Sequence, residues 1–214
     1  MVALGSTLID TAKFGSNDVT AFYLGSNEAW TANKPGMVLV SPTSITHSGT
    51  SASVGANGQV TFTSVESVSL NGIFTSDFDN YVVSCRLIAD TLNINVFAKL
   101  RSSGTDAVGA DYTWQRLQAN GTARNATRTS GVTKANVAEG SATAASGFDL
   151  RIYGPALTQP TAMRSTTIMG RDGARLVDFA STHSLSTSYD GLTIAMDAGF
   201  SYLTGALQVY GVRS

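Results

Sequence analysis

One stretch of this chain combines aromatic rings with hydrogen-bond donors at the spacing of a β-strand. Alternate side chains of an extended strand point to the same face, so Tyr112, Trp114 and Arg116 are expected to share one face. If exposed, that face offers rings that stack on a sugar beside a guanidinium that donates hydrogen bonds. These residue types therefore predict a glycan contact at Tyr112, Trp114 and Arg116, with core packing of Trp114 as the alternative.

Paired carboxylates are the second group that could do chemistry. Asp77 and Asp79 lie two residues apart in Thr75-Ser76-Asp77-Phe78-Asp79-Asn80-Tyr81. Two carboxylates on one strand face can hydrolyse a glycosidic bond as an acid/base pair, or can bind calcium through their oxygens. The same residues are typical of a turn that opens the strand at Tyr81, and this is the interpretation we favour. Because the chain contains only three Glu, a hydrolytic pair would have to consist of aspartates.

The two histidines, His47 and His183, have no second His or Cys at metal-ligand spacing. Ser186, Ser188 and Asp190 follow His183, but a catalytic triad is defined by geometry, and these residue types are common in this chain. The sequence contains no Gly-x-Ser-x-Gly elbow and no Walker-type phosphate loop. We therefore expect this protein not to be an enzyme and to use no metal and no cofactor.

The charge content argues against two classes of partner. Charged residues make up 14% of the chain and the formal net charge is −1, whereas nucleic-acid binding needs clustered Lys and Arg. No apolar run approaches the roughly 18–20 residues of a membrane helix, and residues 1–15 lack the pattern of a secretory signal. We expect neither nucleic acid nor a membrane as a partner. Cys85 is the single cysteine, and it is expected to be a small buried hydrophobic residue.

Composition and alternation both predict an all-β chain. Gly, Ser, Thr and Asn are abundant and strong helix formers are scarce. Apolar and polar residues alternate in 92–101, where Phe97 falls among the polar positions, and again in 147–153. The predicted strands are 37–40, 59–63, 65–70, 81–89, 92–101, 112–117, 147–153, 175–179, 192–196 and 207–212. The predicted turns are Asn57-Gly58, Asn71-Gly72, Asn120-Gly121 and Asp190-Gly191.

The spacing of these strands predicts a β-sandwich, with jelly-roll topology as the expected connection. Lys34-Pro35-Gly36 is the expected boundary, so residues 37–214 form the sandwich and residues 1–36 a separate segment. This segment is expected to contain a short β-hairpin around Gly25-Ser26-Asn27. Because an isolated hairpin of this size is marginal in water, it should pack on its own domain or on a partner.

Three stretches resemble tail-fibre and minor tail proteins of phages that infect actinobacteria. The first is the hairpin Ala21-Phe22-Tyr23-Leu24-Gly25-Ser26-Asn27-Glu28-Ala29-Trp30, which is similar to the aromatic-x-Gly-Ser-x-x-x-Trp segments near the N-termini of such proteins. The second runs from Val68 to Tyr81 and continues to Arg101-Ser102-Ser103-Gly104-Thr105-Asp106 and Tyr112. The third is the ending Leu207-Gln208-Val209-Tyr210-Gly211-Val212-Arg213-Ser214.

The resemblance implies a structural protein of the virion, assembled in the host cytoplasm. It implies that residues 37–214 form a knob that is commonly a homotrimer and that residues 1–36 attach to other virion proteins. Phe22, Tyr23, Leu24 and Trp30 are then the expected anchor residues. The expected role is a tail fibre or a receptor-binding minor tail protein that contacts a glycan on the host cell. No catalytic motif of the family is matched, so no catalytic residue is carried over.

Two alternatives remain open on the sequence. The same virion protein could decorate the capsid or form a head fibre, because nothing in the residues distinguishes a tail location from a capsid location. A virion-associated glycan hydrolase is the other alternative, and it would require an acidic pair such as Asp77 and Asp79 in a cleft.

Overall fold

The computed structural model describes residues 12–14, 17–19, 21–24, 27–31, 36–142, 144–169, 175–196 and 201–213, and of residues 12–31 it describes the backbone alone. The chain divides into two compact units, one of Met1–Gly36 with Ser214 and one of Met37–Arg213.

The described residues of the first unit form two short antiparallel hairpins. Their strands are β1 (Ala12–Phe14), β2 (Asn17–Val19), β3 (Ala21–Leu24) and β4 (Asn27–Thr31). The pair β3–β4 is the hairpin predicted around Gly25-Ser26-Asn27, and Phe22 lies opposite Trp30 in its register. The side chains of the predicted anchor lie outside the described residues, so the attachment role stays a prediction.

The second unit is built on a 14-stranded sheet. Its strands are β5 (Gly36–Val40), β6 (Ser44–Val54), β7 (Val60–Asn71), β8 (Asn80–Ala89), β9 (Ile94–Ser102), β10 (Thr105–Asp106), β11 (Tyr112–Asn120), β12 (Ala123–Val132), β13 (Ala135–Gly140), β14 (Ser146–Tyr153), β15 (Thr161–Met169), β16 (Arg175–His183), β17 (Gly191–Ala195) and β18 (Leu203–Arg213). The described residues contain no helix, and so none that could cross a membrane. The all-β, sandwich-like fold is confirmed, whereas the jelly-roll topology stays a prediction.

The order of the strands across the sheet is β10-β9-β17-β7-β18-β8-β14-β15-β16-β11-β12, and each neighbouring pair on this path is antiparallel. Three further strands pair off this path: β13 with β9, β5 with β18, and β6 with β7. Strand β7 divides this path into two halves: β10, β9, β17 and the attached β13 form one half, and the strands from β18 to β12 form the other. The chain therefore leaves each half and returns to it several times. Most of the strand neighbours are distant in the chain, and their pairing cannot be deduced from local patterns.

Alternation along the central strands separates a buried face from an exposed one. On β8 the residues Tyr81, Val83, Cys85 and Leu87 are buried, and on β14 the buried set is Phe148, Leu150 and Ile152. The residues between them point to the opposite, largely exposed face. Burial of these side chains provides the main favourable free energy of folding. The prediction that Cys85 is buried is confirmed.

Strand β7 belongs to both halves of the sheet. On one side β6 follows it along its length, whereas on the other side residues 60–65 lie beside β18 and residues 67–70 lie beside β17. Between these two segments Ser64 has a positive φ of 47°. Its N–H donates a hydrogen bond to Thr204 Oγ1 at 3.0 Å instead of to a neighbouring strand. This irregularity lets one strand turn from the first half into the second.

Strand β13 is buried along its whole length and contacts β15 and β16 of the opposite half. One of its edges pairs with β9. Two of its backbone carbonyls, those of Asn136 and Val137, accept hydrogen bonds from the hydroxyls of Ser181 and Ser165. These hydroxyls provide partners for backbone groups that would otherwise be buried unpaired. This arrangement explains why the buried face of β15 and β16 carries Ser165 and Ser181 among its apolar residues.

Several local predictions differ from the structure in instructive ways. The strands predicted over 59–63 and 65–70 are the two parts of β7, separated at Ser64. Strands β1, β2, β6, β10, β12, β13 and β15 were not predicted. Strands β6 and β12 are exposed on nearly all positions, β13 is buried on every position, and the buried positions of β15 are partly polar, so none of these four shows apolar–polar alternation. The turn predicted at Asp190-Gly191 is wrong, since Gly191 already pairs with Arg101 in β17.

We predict that Gly49→Ala destabilises the second unit by about 2–4 kcal/mol. Gly49 lies on β6 opposite the irregular part of β7 and has a φ of 117°. A methyl group there would overlap the carbonyl oxygen of Ser64 and come within 2.7 Å of the Cα of Val65. The free energy of unfolding in denaturant is the measurement.

The matched control is Gly121→Ala. Gly121 has a φ of 57° but no atom within 4 Å of the added methyl group, so this variant carries only the left-handed backbone cost of about 1–2 kcal/mol. Equal losses for the two variants would mean that contact with the bend of β7 contributes nothing.

Candidate functional site

Tyr112, the first residue of the predicted glycan contact, is fully buried. Its hydroxyl accepts a hydrogen bond from the N–H of Leu100 at 2.9 Å. Its ring packs edge-on against His183, with 4.4 Å between the ring centroids. Burial raises the pKa of the Tyr112 hydroxyl. Tyr112 is therefore a core residue in this structure, and the prediction that it contacts a ligand is corrected.

Arg116 lies on the same face as Tyr112, as the alternation predicts, but its guanidinium is engaged inside the protein. It forms an ion pair of 2.8 Å with Oε1 of Glu139 on β13. Nη1 of Arg175 binds the other carboxylate oxygen of Glu139 at 2.7 Å, so one carboxylate joins two arginines. Only 4% of the Glu139 side chain is exposed. Arg116 thus connects two layers of the fold, and its one donor without a partner, Nε, is buried away from a ligand.

Trp114 is half-buried and lines an open hollow of ≈ 400 Å³. The other lining residues are Phe97, Thr129, Gly131, Val132, Thr133 and Lys134. The ammonium group of Lys134 lies 3.9 Å from the centroid of the Phe97 ring, a cation–π contact that holds a charged donor at the hollow. Aromatic surface beside a cation and threonine hydroxyls is the combination that a sugar ring binds. We call this hollow the Trp114 hollow.

The Trp114 hollow includes residues that the sequence did not single out. Phe97 interrupts the polar side of the alternation over 92–101, and an aromatic residue at such a position was the available signal. Thr129 and Lys134 lie on and just after β12, which was not predicted as a strand. Of the three predicted contact residues, only Trp114 lines this hollow, because Tyr112 is buried and the guanidinium of Arg116 is paired with Glu139.

The paired carboxylates lie in a turn before β8. The hydroxyl of Thr75 donates to Asp77 Oδ2 at 3.3 Å and accepts from the Asp77 N–H at the same distance. The backbone carbonyl of Asp79 accepts from the N–H of Gly154 at 2.9 Å. The predicted turn opening the strand at Tyr81 agrees with these contacts. Among the described residues no group of three His, Cys, Asp or Glu side chains could hold a metal ion.

His183 is buried between two aromatic rings rather than beside a serine. Its Nδ1 lies 3.2 Å from the hydroxyl of Tyr189, and Tyr112 packs on its other side. Burial lowers the pKa of His183, so the neutral imidazole is favoured. The Ser188 hydroxyl donates to the carbonyl of Ala156 at 2.7 Å. His183 is accordingly a core residue that contacts tyrosine through its ring nitrogen, whereas His47 lies exposed on β6.

Arg101, from the second stretch of the resemblance, is the centre of a buried polar cluster. Its Nη1 donates to Ser69 Oγ at 3.0 Å and to Thr193 Oγ1 at 2.8 Å, and Nε donates to Asn71 Oδ1 at 3.0 Å. The same guanidinium also contacts the carboxylate of Asp106 and the carbonyl of the β9–β10 turn. With its donors used in this way, Arg101 ties β10 to β7 and β17, which is a structural role.

Comparison of the chain with protein-family models, with curated proteins and with solved structures finds no match.

We predict that Glu139→Gln lowers the free energy of unfolding by about 3–5 kcal/mol, because it leaves two arginines without their buried counter-charge. The change keeps the size of the side chain, so the loss reports charge and hydrogen bonding rather than packing. Chemical denaturation followed by circular dichroism is the measurement.

The matched control is Asp178→Asn, which removes the carboxylate from the exposed ion pair with Arg164. In that pair 39% of the Asp178 side chain is exposed, so water and salt screen the interaction and a much smaller loss is expected. Equal losses would contradict the assignment of Glu139 as a link between the layers.

Proposed function

We propose that this protein is a structural protein of a phage virion, a tail fibre or receptor-binding minor tail protein that contacts a glycan on the host cell. The observation that carries the proposal is the Trp114 hollow. It is open, it combines a half-buried Trp with a Phe and a Lys, and its ≈ 400 Å³ is within the size range of small-ligand sites. The resemblance of three sequence stretches to such virion proteins supports the same role.

The chemistry of the Trp114 hollow favours a sugar over an apolar ligand. An indole ring stacks against the C–H face of a pyranose, while Lys134 and the hydroxyls of Thr129 and Thr133 are suited to polar contacts with the edge of the ring. The hollow is open at the surface of the second unit. A long glycan chain on a cell surface could therefore enter it without a change of fold.

We predict that Trp114→Ala weakens binding to purified cell-wall polysaccharide of actinobacteria by about tenfold, the loss typical of a buried aromatic contact. Binding is measured as the fraction of protein that sediments with the polysaccharide. Tyr202→Ala removes another partly exposed aromatic ring, 42% exposed, from outside the hollow and should bind normally. Equal binding by wild-type protein and Trp114→Ala would refute the role of this hollow.

The attachment role is proposed for residues 1–36, with Phe22, Tyr23, Leu24 and Trp30 as the contacts to other virion proteins. A chain lacking residues 1–36 is expected to keep its second unit folded, because Met37–Arg213 forms a compact unit of its own. It should no longer be incorporated into particles. Incorporation at the normal level, measured by immunoblotting of purified virions, would contradict the anchor.

The location on the particle distinguishes the proposed tail role from capsid decoration. Gold-labelled antibody against the second unit should bind at the tail tip in electron micrographs of intact particles. Labelling of the capsid would replace the receptor-binding proposal with a decoration protein or head fibre, and failure to label any particle would remove the virion role altogether.

We include self-association as a homotrimer in the proposal. Three large apolar side chains, Leu117, Ile168 and Leu176, are 53%, 58% and 48% exposed on the outer face of the sheet. Ile168 and Leu176 are directly opposite each other in the register of β15 and β16. Exposed apolar residues that are adjacent in this way are typical of surfaces that another protein covers.

We predict a trimer mass for the full chain in light scattering, and a shift to monomer for Ile168→Asp. Val108→Asp is the control, since Val108 is also 58% exposed but belongs to a different surface. A monomer mass for the wild-type chain at micromolar concentration would refute the trimer.

A further inference from the structure

The outer face of β14 and β15 places two arginines directly opposite each other. In the antiparallel register Arg151 pairs with Arg164, and Asp149 pairs with Thr166. Both arginines are exposed, because their neighbours along each strand form the buried face. Like charges at directly opposed positions in a sheet repel each other. This pairing is unfavourable for the free protein unless each charge has a counter-charge.

Only one of the two arginines has a counter-charge among the described residues. Arg164 donates to both carboxylate oxygens of Asp178 on β16, at 2.9 Å from Nη2 and 3.4 Å from Nε. In the part of the chain that the structure describes, the side chain of Arg151 forms no hydrogen bond and no ion pair, whereas its backbone belongs to the β14 ladders. Its guanidinium is therefore a planar donor group that the described fold does not use.

Arg151 lines an open hollow of ≈ 440 Å³. The other lining residues are Asp149, Tyr153, Arg164 and Thr166. We call it the Arg151 hollow. It belongs to the face opposite the core, whereas Trp114 shares the inner face with buried Tyr112. The two hollows are thus separate places on the same sheet.

The chemistry of the Arg151 hollow matches an anionic sugar. Guanidinium groups bind carboxylate and phosphate through paired hydrogen bonds, and an anion between two arginines also relieves their repulsion. The ring of Tyr153 is 41% exposed and can stack on a sugar ring. Asp149 can accept hydrogen bonds from sugar hydroxyls. Because its carboxylate repels an anion, the charged group of the ligand is expected beside the two arginines and the sugar hydroxyls beside Asp149.

The geometry points to the Arg151 hollow as a binding site for a saccharide unit that carries a carboxylate or phosphate group, with the anion bound by Arg151 beside Arg164. The biological role of this site rests on the proposed contact with a host-cell glycan. The binding itself is independent of the Trp114 hollow, so each site can be tested without the other.

The test uses the full chain and three small sugars that have the same type of pyranose ring and differ in their charged group. Methyl glucuronide carries a carboxylate, glucose 6-phosphate carries a phosphate, and methyl glucoside carries neither. Affinities are measured by ligand-observed NMR titration. Both charged sugars are expected to bind about tenfold or more tightly than methyl glucoside, as charge-assisted hydrogen bonds require. The preference between the two identifies the anion that the site suits better.

Arg151→Gln should weaken binding of the charged sugars about tenfold, to the level of methyl glucoside. Because the Arg151 guanidinium has no partner in the described fold, this variant should unfold at the wild-type temperature. Arg86→Gln is the matched control. Arg86 is an exposed residue of β8 on the same face of the sheet as Arg151, and it lies outside the hollow, so the variant removes the same charge from another place. Arg86→Gln and Trp114→Ala should both bind the charged sugars normally.

Four results with the sugars would overturn the proposal, and a fifth comes from simple anions. The four are equal affinity for charged and neutral sugars, equal losses for Arg151→Gln and Arg86→Gln, loss of binding in Trp114→Ala, and no binding of either charged sugar at millimolar concentration. Acetate and inorganic phosphate provide the final comparison: if they bind as tightly as the charged sugars, the hollow recognises an anion and not a saccharide. A negative outcome here leaves the sedimentation and particle experiments on the proposed function unaffected.

Discussion

The bend of β7 at Ser64 is the constraint on which the rest of the second unit depends. A strand that hydrogen-bonds to β18 in its first part and to β17 in its second must change direction between them. The positive φ of Ser64 makes that change, and Thr204 takes the N–H that the bend removes from strand pairing. Because β6 follows β7 on the other side, Gly49 must allow the backbones to approach closely. Without this bend the sheet would continue in one direction and could not cover its own apolar face.

Closing the sheet in this way buries polar groups as well as apolar ones, and the structure pairs most of them. β13 contacts the opposite half through hydroxyls that bond to its carbonyls and through Glu139, which joins Arg116 and Arg175. At the other end of β9, Arg101 likewise joins strands through buried hydrogen bonds, to Ser69 on β7 and Thr193 on β17. Such groups are expensive to bury alone and acceptable when paired, so they favour one arrangement of strands over others. Although the chain has few charged residues, two of them, Arg101 and Glu139, are thus buried in its interior.

The same organisation determines which side chains remain for binding. Trp114 lies where the inner face of the sheet reaches the surface, so its ring is only half covered. On the outer face Arg151 and Tyr153 remain open to solvent. One sheet therefore presents an aromatic hollow with a cation on its inner side and a hollow with two arginines on its outer side. Both combinations suit carbohydrate, and they differ in the charge that they prefer.

The sequence by itself determined the fold class, most of the central strands and the sharing of one face by Tyr112, Trp114 and Arg116. These features depend on the alternation of side chains within one strand, which is a local property. Only the tertiary structure decided that Tyr112 is buried, that Arg116 binds Glu139, and that Phe97 and Lys134 complete the Trp114 hollow. Exposure and long-range ion pairs depend on which strands become neighbours, and the neighbours here are distant in the chain. The edge strands β6 and β12 escaped prediction for a related reason: a strand exposed on both faces needs no apolar alternation, because pairing with its neighbour holds it in place.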